Sequence, residues 1–335
     1  MDNVQIKLDK IDQKIIRMLA RDSRMPLSVM AAAAHVSVDT AKNRLHALKT
    51  VGVVSALFAE PDLAALGLRT FRLYVDVAAM PVETRRRLMQ AYRTHGSTQW
   101  VAWGEGAWDF ILRFSLPDES AFKAEVESFM NRFGAFVQRK SITLGMYQSY
   151  FPPTYLAGGE RRARIRFDSA RLPAKLSAAD YRILSALYDD ARIPTTHLAQ
   201  ALRLTPEAVQ YRLKRLLEKG VIQGYSAWFD SQPAGFEFHK VFFWLQNLTP
   251  QQEKNFVRYL ESDPHVAYLV RVLGDWDLEV DVHVQSPRQL HDFISSVEKR
   301  FPGLVRDHAS LVILENAISN PLGQFLETPL PRRSS

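Results

Sequence analysis

The chain has 335 residues, more than one ordinary domain of roughly 100–200 residues, and is 47% hydrophobic and 24% charged, the balance of a folded globular protein rather than a disordered one. Its formal net charge of +7 favours a polyanionic partner. There is no cysteine, which excludes disulfides, cysteine-bearing zinc fingers, iron–sulfur clusters and thiol catalysis, and fits a reducing cytoplasm.

The opening residues MDNVQIKLDKIDQKI are too charged for the apolar core of a signal peptide. No stretch approaches the ~18 uncharged apolar residues of a membrane span, so no membrane partner is expected. Sliding the sequence against itself by 168 positions reveals an internal repeat without gaps. Asp12, Ile15, Leu19, Asp22, Arg24 and Pro26 fall on Asp180, Ile183, Leu187, Asp190, Arg192 and Pro194. Arg44, Leu45, Leu48 and Gly52 fall on Arg212, Leu213, Leu216 and Gly220, and Gly106, Trp108 and Asp109 on Gly274, Trp276 and Asp277. Glycine, proline, tryptophan and arginine matches in one frame mark two copies of one unit.

In copy one, Ile11, Ile15, Ile16 and Leu19 have helical spacing; Tyr181, Ile183, Leu184 and Leu187 repeat it, with Ser177 as N-cap. A turn holding Arg24 and Pro26 precedes a small-residue helix, 27–34, matched by 196–202. A third helix starts at Ser37 or Thr205, the latter followed by Pro206 and Glu207, as at a helix start. Its buried stripe is Ala41, Leu45 and Leu48, or Val209, Leu213 and Leu216, and Gly52 and Gly220 close it. The other face carries Thr40, Lys42, Asn43, Arg44 and Lys49 in copy one. In copy two it carries Gln210, Tyr211, Arg212, Lys214 and Arg215. Arg, Asn and Gln bond base edges and Lys neutralises phosphate, so these ten residues are the candidate contacts to double-stranded DNA in a helix-turn-helix.

Strands at about 71–77, 98–103, 108–115 and 135–144 alternate with helices at about 82–93 and 119–133, and copy two repeats the order. The expected fold class is α+β, a tandem repeat of winged helix-turn-helix and ferredoxin-like βαββαβ module. Gly158–Lys175, rich in glycine and arginine, reads as an exposed basic linker and a candidate extra phosphate contact. Glu279, Asp281 and His283 alternate along one strand. Copy one has Ile111 and Arg113 opposite the first two, so a salt bridge from Arg113 across paired sheets competes with a metal site, and no metal or cofactor is expected.

The opening Leu-Asp-x-x-Asp of Leu8–Asp12, Arg-x-Pro at Arg24–Pro26, Val209–Leu216 followed by Gly220–Ile222, and Gly-x-Trp-Asp at Gly106–Asp109 and Gly274–Asp277 carry a resemblance to the Lrp/AsnC family of prokaryotic transcription factors. It covers both copies and differs from the usual single-copy protomer in being fused. The resemblance implies a regulator rather than an enzyme, a homo-oligomer, and a small effector such as an amino acid bound near Gly106, Asp109, Gly274 and Asp277. Glycine admits a ligand to the backbone and a carboxylate holds an ammonium, although a turn glycine and a capping aspartate have the same signature. The implied division is a first DNA-binding domain 1–54, an effector and assembly module 55–157, a linker 158–175, a second DNA-binding domain 176–222, a second module 223–318 and a flexible tail 319–335. The alternative comes from sirohaem decarboxylases, similar in architecture, which would need histidines and basic groups for a tetrapyrrole. His95 and His239 lie in the modules, but neither is matched by a histidine in the other copy.

The charge is unevenly shared. Residues 1–159 hold 20 basic and 15 acidic side chains, the linker 160–175 holds 6 and 2, and 176–330 hold 15 and 19. Residues 8–54 hold 8 basic and 4 acidic side chains, 176–222 hold 7 and 5, and 223–330 hold 8 and 14, so positive charge sits on the candidate DNA-reading parts, the linker and the tail, which supports a nucleic-acid partner more than the total does.

Overall fold

The computed structural model describes residues 5–161, 165–168 and 171–326. Copy one runs α1 (Lys10–Arg21), α2 (Leu27–Ala34), α3 (Val38–Thr50), β1 (Val54–Pro61), β2 (Arg69–Val77), α4 (Val82–Arg93), β3 (Thr98–Gly106), β4 (Phe110–Leu116), α5 (Glu119–Phe133) and β5 (Val137–Tyr150). The link holds α6 (Thr154–Ala157) and β6 (Ile165–Asp168). Copy two runs α7 (Ala178–Asp189), α8 (Thr195–Leu202), α9 (Pro206–Glu218), β7 (Ile222–Phe229), β8 (Glu237–Leu245), α10 (Pro250–Ser262), β9 (Val266–Leu273), β10 (Leu278–Val284), α11 (Pro287–Arg300) and β11 (Val305–Ile318).

The first helix of each copy starts at a capping box. Asp9 accepts the amides of Ile11 and Asp12 while Asp12 accepts that of Asp9; Ser177 and Asp180 repeat the arrangement. The second helices end in left-handed residues, His35 and Arg203, which turn the chain sharply into the third helix. Ser37 and Thr205 cap that helix by accepting the amides of Thr40 and Ala208.

The modules share one sheet. In each, the strand order is that of a ferredoxin-like unit, and the last strand of each pairs with the second strand of the other: β5 with β9, and β11 with β3. With the β2–β5 and β11–β8 pairings, this closes an eight-stranded antiparallel barrel, β2-β4-β3-β11-β8-β10-β9-β5. Closure leaves no edge inside the ring. Helices α4 and α5 cover one copy's outer face over Phe71, Leu73, Leu112 and Phe114, and α10 and α11 cover the other's. Both last strands, β5 and β11, are 14 residues long, and β5 runs past the expected end at 144, because their second halves pair with the other copy.

The strands after the helix-turn-helix units also cross over. β1 pairs antiparallel with β7, and Phe58 faces Ser226, its own repeat equivalent, so a pseudo-two-fold axis passes through that pair. Phe58 and Ala59 complete the core of the second helix-turn-helix, beside Ile183 and Leu187. Ala227 and Phe229 complete the first, beside Ile15 and Leu19. Ser23 donates to the carbonyl of Tyr225 and Ala191 to that of Leu57, a matched pair of cross-copy bonds. Neither DNA-binding unit is thus a closed body of its own.

The expected exposed linker is built into the fold where described. β6 adds to β5, Arg161 donates to the carbonyls of Glu261 and Val266, and Arg171 pairs with Asp62. Arg162 and Arg164 lie outside the described residues. The expected flexible tail begins with packed chain: Ser319 and Leu322 are buried, and Phe325 stacks on Tyr181 at 4.6 Å. Residues 327–335 lie outside the described residues.

The seams between copies need glycine. A Cβ on Gly104 would lie 2.2 Å from the Val312 carbonyl oxygen, while Gly224 has nothing within 4 Å. Gly104→Ala is therefore expected to lower unfolding free energy by about 1–3 kcal/mol in urea titration, with Gly224→Ala nearly silent. Equal stability of the two variants would contradict the β3–β11 seam.

Candidate DNA-reading helices and the barrel interior

The ten residues expected on the reading faces of α3 and α9 fall into two groups. Lys42, Asn43, Lys49, Gln210, Tyr211 and Lys214 are exposed, Tyr211 to 68%. Lys214 has only Glu218 one turn on, at 3.8 Å, an exposed pair of little energy. The arginines turn inward. Arg212 lies 2.9 Å from Asp180 and donates to the Ser177 hydroxyl at 2.9 Å, and Arg215 reaches the other Asp180 oxygen at 2.9 Å.

Asp180 is fully buried. Burial pushes its carboxyl pKa up, but the Ser177 amide and hydroxyl and the Arg212 guanidinium outweigh this and hold it below the ordinary value. Arg44 makes the matching contacts more loosely, 3.0 Å to Asp9 and 3.5 Å to Asp12. The Thr40 hydroxyl is 2.8 Å from that of Ser37, at the helix cap. Arg44, Arg212, Arg215 and Thr40 therefore tie the third helix to its own domain. The long ammonium, amide and phenol groups beside them are the ones that point outward.

The four turn residues carry structural contacts. A Cβ on Gly106 would lie 2.5 Å from the Ser310 carbonyl oxygen, and one on Gly274 2.8 Å from that of Ile142, so both glycines let the other copy's last strand come close. Asp109 accepts the Val77 amide at 2.7 Å, and Asp277 accepts the Leu245 amide at 2.7 Å and pairs with Arg271 at 3.0 Å. Both aspartates remain partly exposed. Trp108 and Trp276 are buried, their rings 6.1 Å apart inside the barrel.

The barrel interior holds charge, which sequence reasoning saw only in part. Arg72, 2% exposed, lies 3.4 Å from Glu279, 0% exposed, and donates to the Tyr268 hydroxyl at 2.7 Å. Lys240 pairs with Asp281 and lies 3.7 Å from Glu279. Glu279 also accepts from Trp276 at 3.1 Å and Thr143 at 3.3 Å. Burial raises the pKa of Glu279, but Arg72 and Lys240 prevail and keep it below the usual carboxylate value. Arg113 donates to the Tyr150 hydroxyl at 3.1 Å rather than to a carboxylate directly.

The salt bridge expected of Arg113 is therefore not formed to a carboxylate; Arg72 makes the arginine–carboxylate pair between the copies inside the barrel. His283 is committed to Ser231 at 2.7 Å. Among the described residues no group of three or more His, Asp or Glu is placed to hold a metal ion. Part of the signal for this network was available: repeat partners Ile111 and Glu279, and Arg113 and Asp281, differ in charge at alternating buried positions, whereas Arg72 and Lys240 are both basic.

Comparison with known proteins agrees with both helix-turn-helix units. An AsnC-type helix-turn-helix domain model matches residues 8–49, and a winged helix-turn-helix DNA-binding model matches 176–223. The chain is 30% identical over 120 residues to the HTH-type transcriptional regulator AldR of Mycolicibacterium smegmatis, covering 36% of this chain and 70% of that one. This chain belongs to the Lrp/AsnC family. The HTH-type transcriptional regulator LrpB of Bacillus subtilis is 27% identical over 113 residues, 33% of this chain and 74% of that protein. Each such match spans about one copy, and the present chain carries twice the helix-turn-helix unit.

The whole-chain fold is similar to the siroheme decarboxylase NirDL, with a TM-score of 0.63 at 14% identity over 94% of this chain and 97% of that one. That likeness concerns the fold. No helix among the described residues is long and apolar enough to cross a membrane.

Proposed function

We propose that this regulator reads double-stranded DNA through two unequal helices held by one rigid frame, and that it acts by binding rather than catalysis in the cytoplasm. The observation that carries this reading is the division of each third helix. Its arginines brace the domain, while Lys42 and Asn43 on α3, and Gln210 and Tyr211 on α9, are presented outward. Asn and Gln suit adenine edges, Lys suits phosphate, and the pseudo-two-fold axis sets the two helices as half-site readers. Because their side chains differ, the preferred site is not a palindrome.

We also propose that whole chains associate further, through exposed apolar residues near one barrel seam, Ile142, Met146 and Leu273. The adjacent exposed turns with Gly106 and Asp109, and Gly274 and Asp277, are the proposed effector site. An amino acid bound there would bias assembly and hence helix spacing.

The likeness to NirDL favours a second reading, a decarboxylase acting on a tetrapyrrole. His95 is held near Ser97 and Glu125, while His239 lies buried beside Glu237. A cleft of about 810 Å³ beside α1 has room and the cations Lys14, Arg17 and Arg21, but no histidine in its wall. These positions support the regulator instead.

DNA recovered from the genome at physiological salt gives the site for a direct test. Asn43→Ala and Gln210→Ala are each expected to weaken binding by about 1–3 kcal/mol, at opposite half-sites and without a change in melting temperature. Arg212→Ala should instead lower the melting temperature, since it leaves Asp180 half-paired. A chain that recovers no specific DNA but copurifies with an iron tetrapyrrole would reverse the assignment. For the effector, a thermal shift with one amino acid is expected to vanish in Asp277→Ala; a shift surviving in both Asp109→Ala and Asp277→Ala would remove the turns from the site.

A further inference from the structure

Beneath the β1–β7 ribbon, at the end of the barrel where Asp281 and His283 lie, is a cavity of about 80 Å³. It is separate from the Gly-x-Trp-Asp turns. Trp228 and Phe58 from the ribbon and Tyr150 and Tyr268 from the barrel give it aromatic walls. Glu60, Asp230 and Asp281 are in its lining, and no lysine or arginine is. Lys240 meets Asp281 from the barrel interior instead.

His283 supplies a directed polar atom. The residue is 6% exposed, and its ring is stacked between Tyr155 at 4.3 Å and Phe238 at 4.7 Å. Its Nδ1 lies 2.7 Å from the Ser231 hydroxyl, and its Nε2 has no hydrogen-bond partner among the described residues. Burial, aided by His239, pushes the His283 pKa down to about 3, so the imidazole is neutral. In the tautomer that carries the proton on Nδ1 and donates it to Ser231, Nε2 offers a lone pair to an N–H donor.

The other copy sharpens the chemistry. Its matching space, lined by Gln99, Tyr188 and Trp228, is about 20 Å³, and Arg113 stands in its wall at the repeat position of Asp281. That guanidinium lies 5.8 Å from the centres of the Trp100 and Tyr268 rings. In copy one a guanidinium thus stands in the wall; in copy two a carboxylate, Asp281, holds that position, paired with Lys240, whose ammonium lies 5.6 Å from the Tyr268 ring.

Aromatic faces attract cations, carboxylates in a poorly solvated wall repel anions, and an imidazole lone pair accepts an N–H bond. A space of this size holds several waters or a small ligand of a few heavy atoms. We propose that the cavity between the ribbon and the barrel is a binding site for a small protonated primary amine, with the ammonium held by the carboxylates and His283 Nε2 and its carbon stem against Trp228. The lack of any lining cation excludes the carboxylate of an amino acid. An occupant touches Phe58 and Ser226, the central pair of the ribbon that joins the two DNA-reading units, and so couples amine binding to their placement.

The test uses the full chain and ethylammonium as probe, followed by ligand-detected NMR and by Trp fluorescence. Saturable ethylammonium binding is expected, with acetate and ethanol not binding. Asp230→Asn and Trp228→Leu should each weaken it about tenfold or more. Circular dichroism and the DNA affinity of each variant report whether it remains folded, and His283→Gln serves as an independent third variant if either does not. Absence of saturable ethylammonium binding overturns the proposal. So does equal binding of acetate, or ethylammonium affinity unchanged in the folded variants. Because the readout is amine binding, its failure leaves the DNA-reading assignment untouched, and loss of DNA reading leaves the amine result interpretable.

Discussion

Charge buried between the two copies is the constraint on which the architecture turns. Arg72 of the first module meets Glu279 of the second where neither touches solvent, and Lys240 bridges Glu279 and Asp281 beside them. Such groups are expensive to bury unless paired, and removing one partner leaves the other stranded. The closed barrel therefore sets the basic Arg72 of copy one against the acidic Glu279 of copy two. Two first copies facing each other would bring together two Arg72 and two Arg113 side chains. Two second copies would duplicate Glu279 and Asp281 around a pair of Lys240. The covalent fusion supplies a matched pair and the interior charges make it the preferred one, a specificity device in the sense of like-charge exclusion.

Everything outside the barrel inherits that pairing. The β1–β7 ribbon sits on the same pseudo-two-fold axis, and each strand fills the partner unit's hydrophobic core. The DNA-reading helices are then oriented by the opposite copy as well as their own, through Ser23 with Tyr225, Ala191 with Leu57, and Arg192 with the carbonyls of Ser23 and Met25. A frame this cross-braced ties the barrel end to the helices through packed contacts. The difference between copies also reaches the surface, where Lys42 and Asn43 stand opposite Gln210 and Tyr211 in repeat register.

Local signals in the sequence were strong and long-range ones weak. Capping residues Ser177 and Thr205, the helix starts they mark and the alternation in β2 rest on neighbours a few residues away, and those elements stand where the spacing puts them. The second halves of β5 and β11, the ribbon, and the docked Ser319–Leu326 segment depend on partners more than 90 residues distant in sequence, which no periodicity encodes. The reading faces show the same limit. Arg212 and Gln210 look alike as polar helix residues, and only the buried Asp180 separates a brace from a reader. The interior charges were half legible: the alternation of Glu279, Asp281 and His283 was visible, but Arg72 as their counterpart needed the closed barrel.

The most direct measurement is a double-mutant cycle on Arg72→Met and Glu279→Met, followed by urea unfolding of the full chain at neutral pH. Each single variant should lose about 3–5 kcal/mol, because a buried charge is left alone, and the double variant should recover much of that loss, since a methionine pair fits the space without charge. Strictly additive losses would show that Arg72 and Glu279 do not depend on each other, and that something other than complementary interior charge joins the two halves.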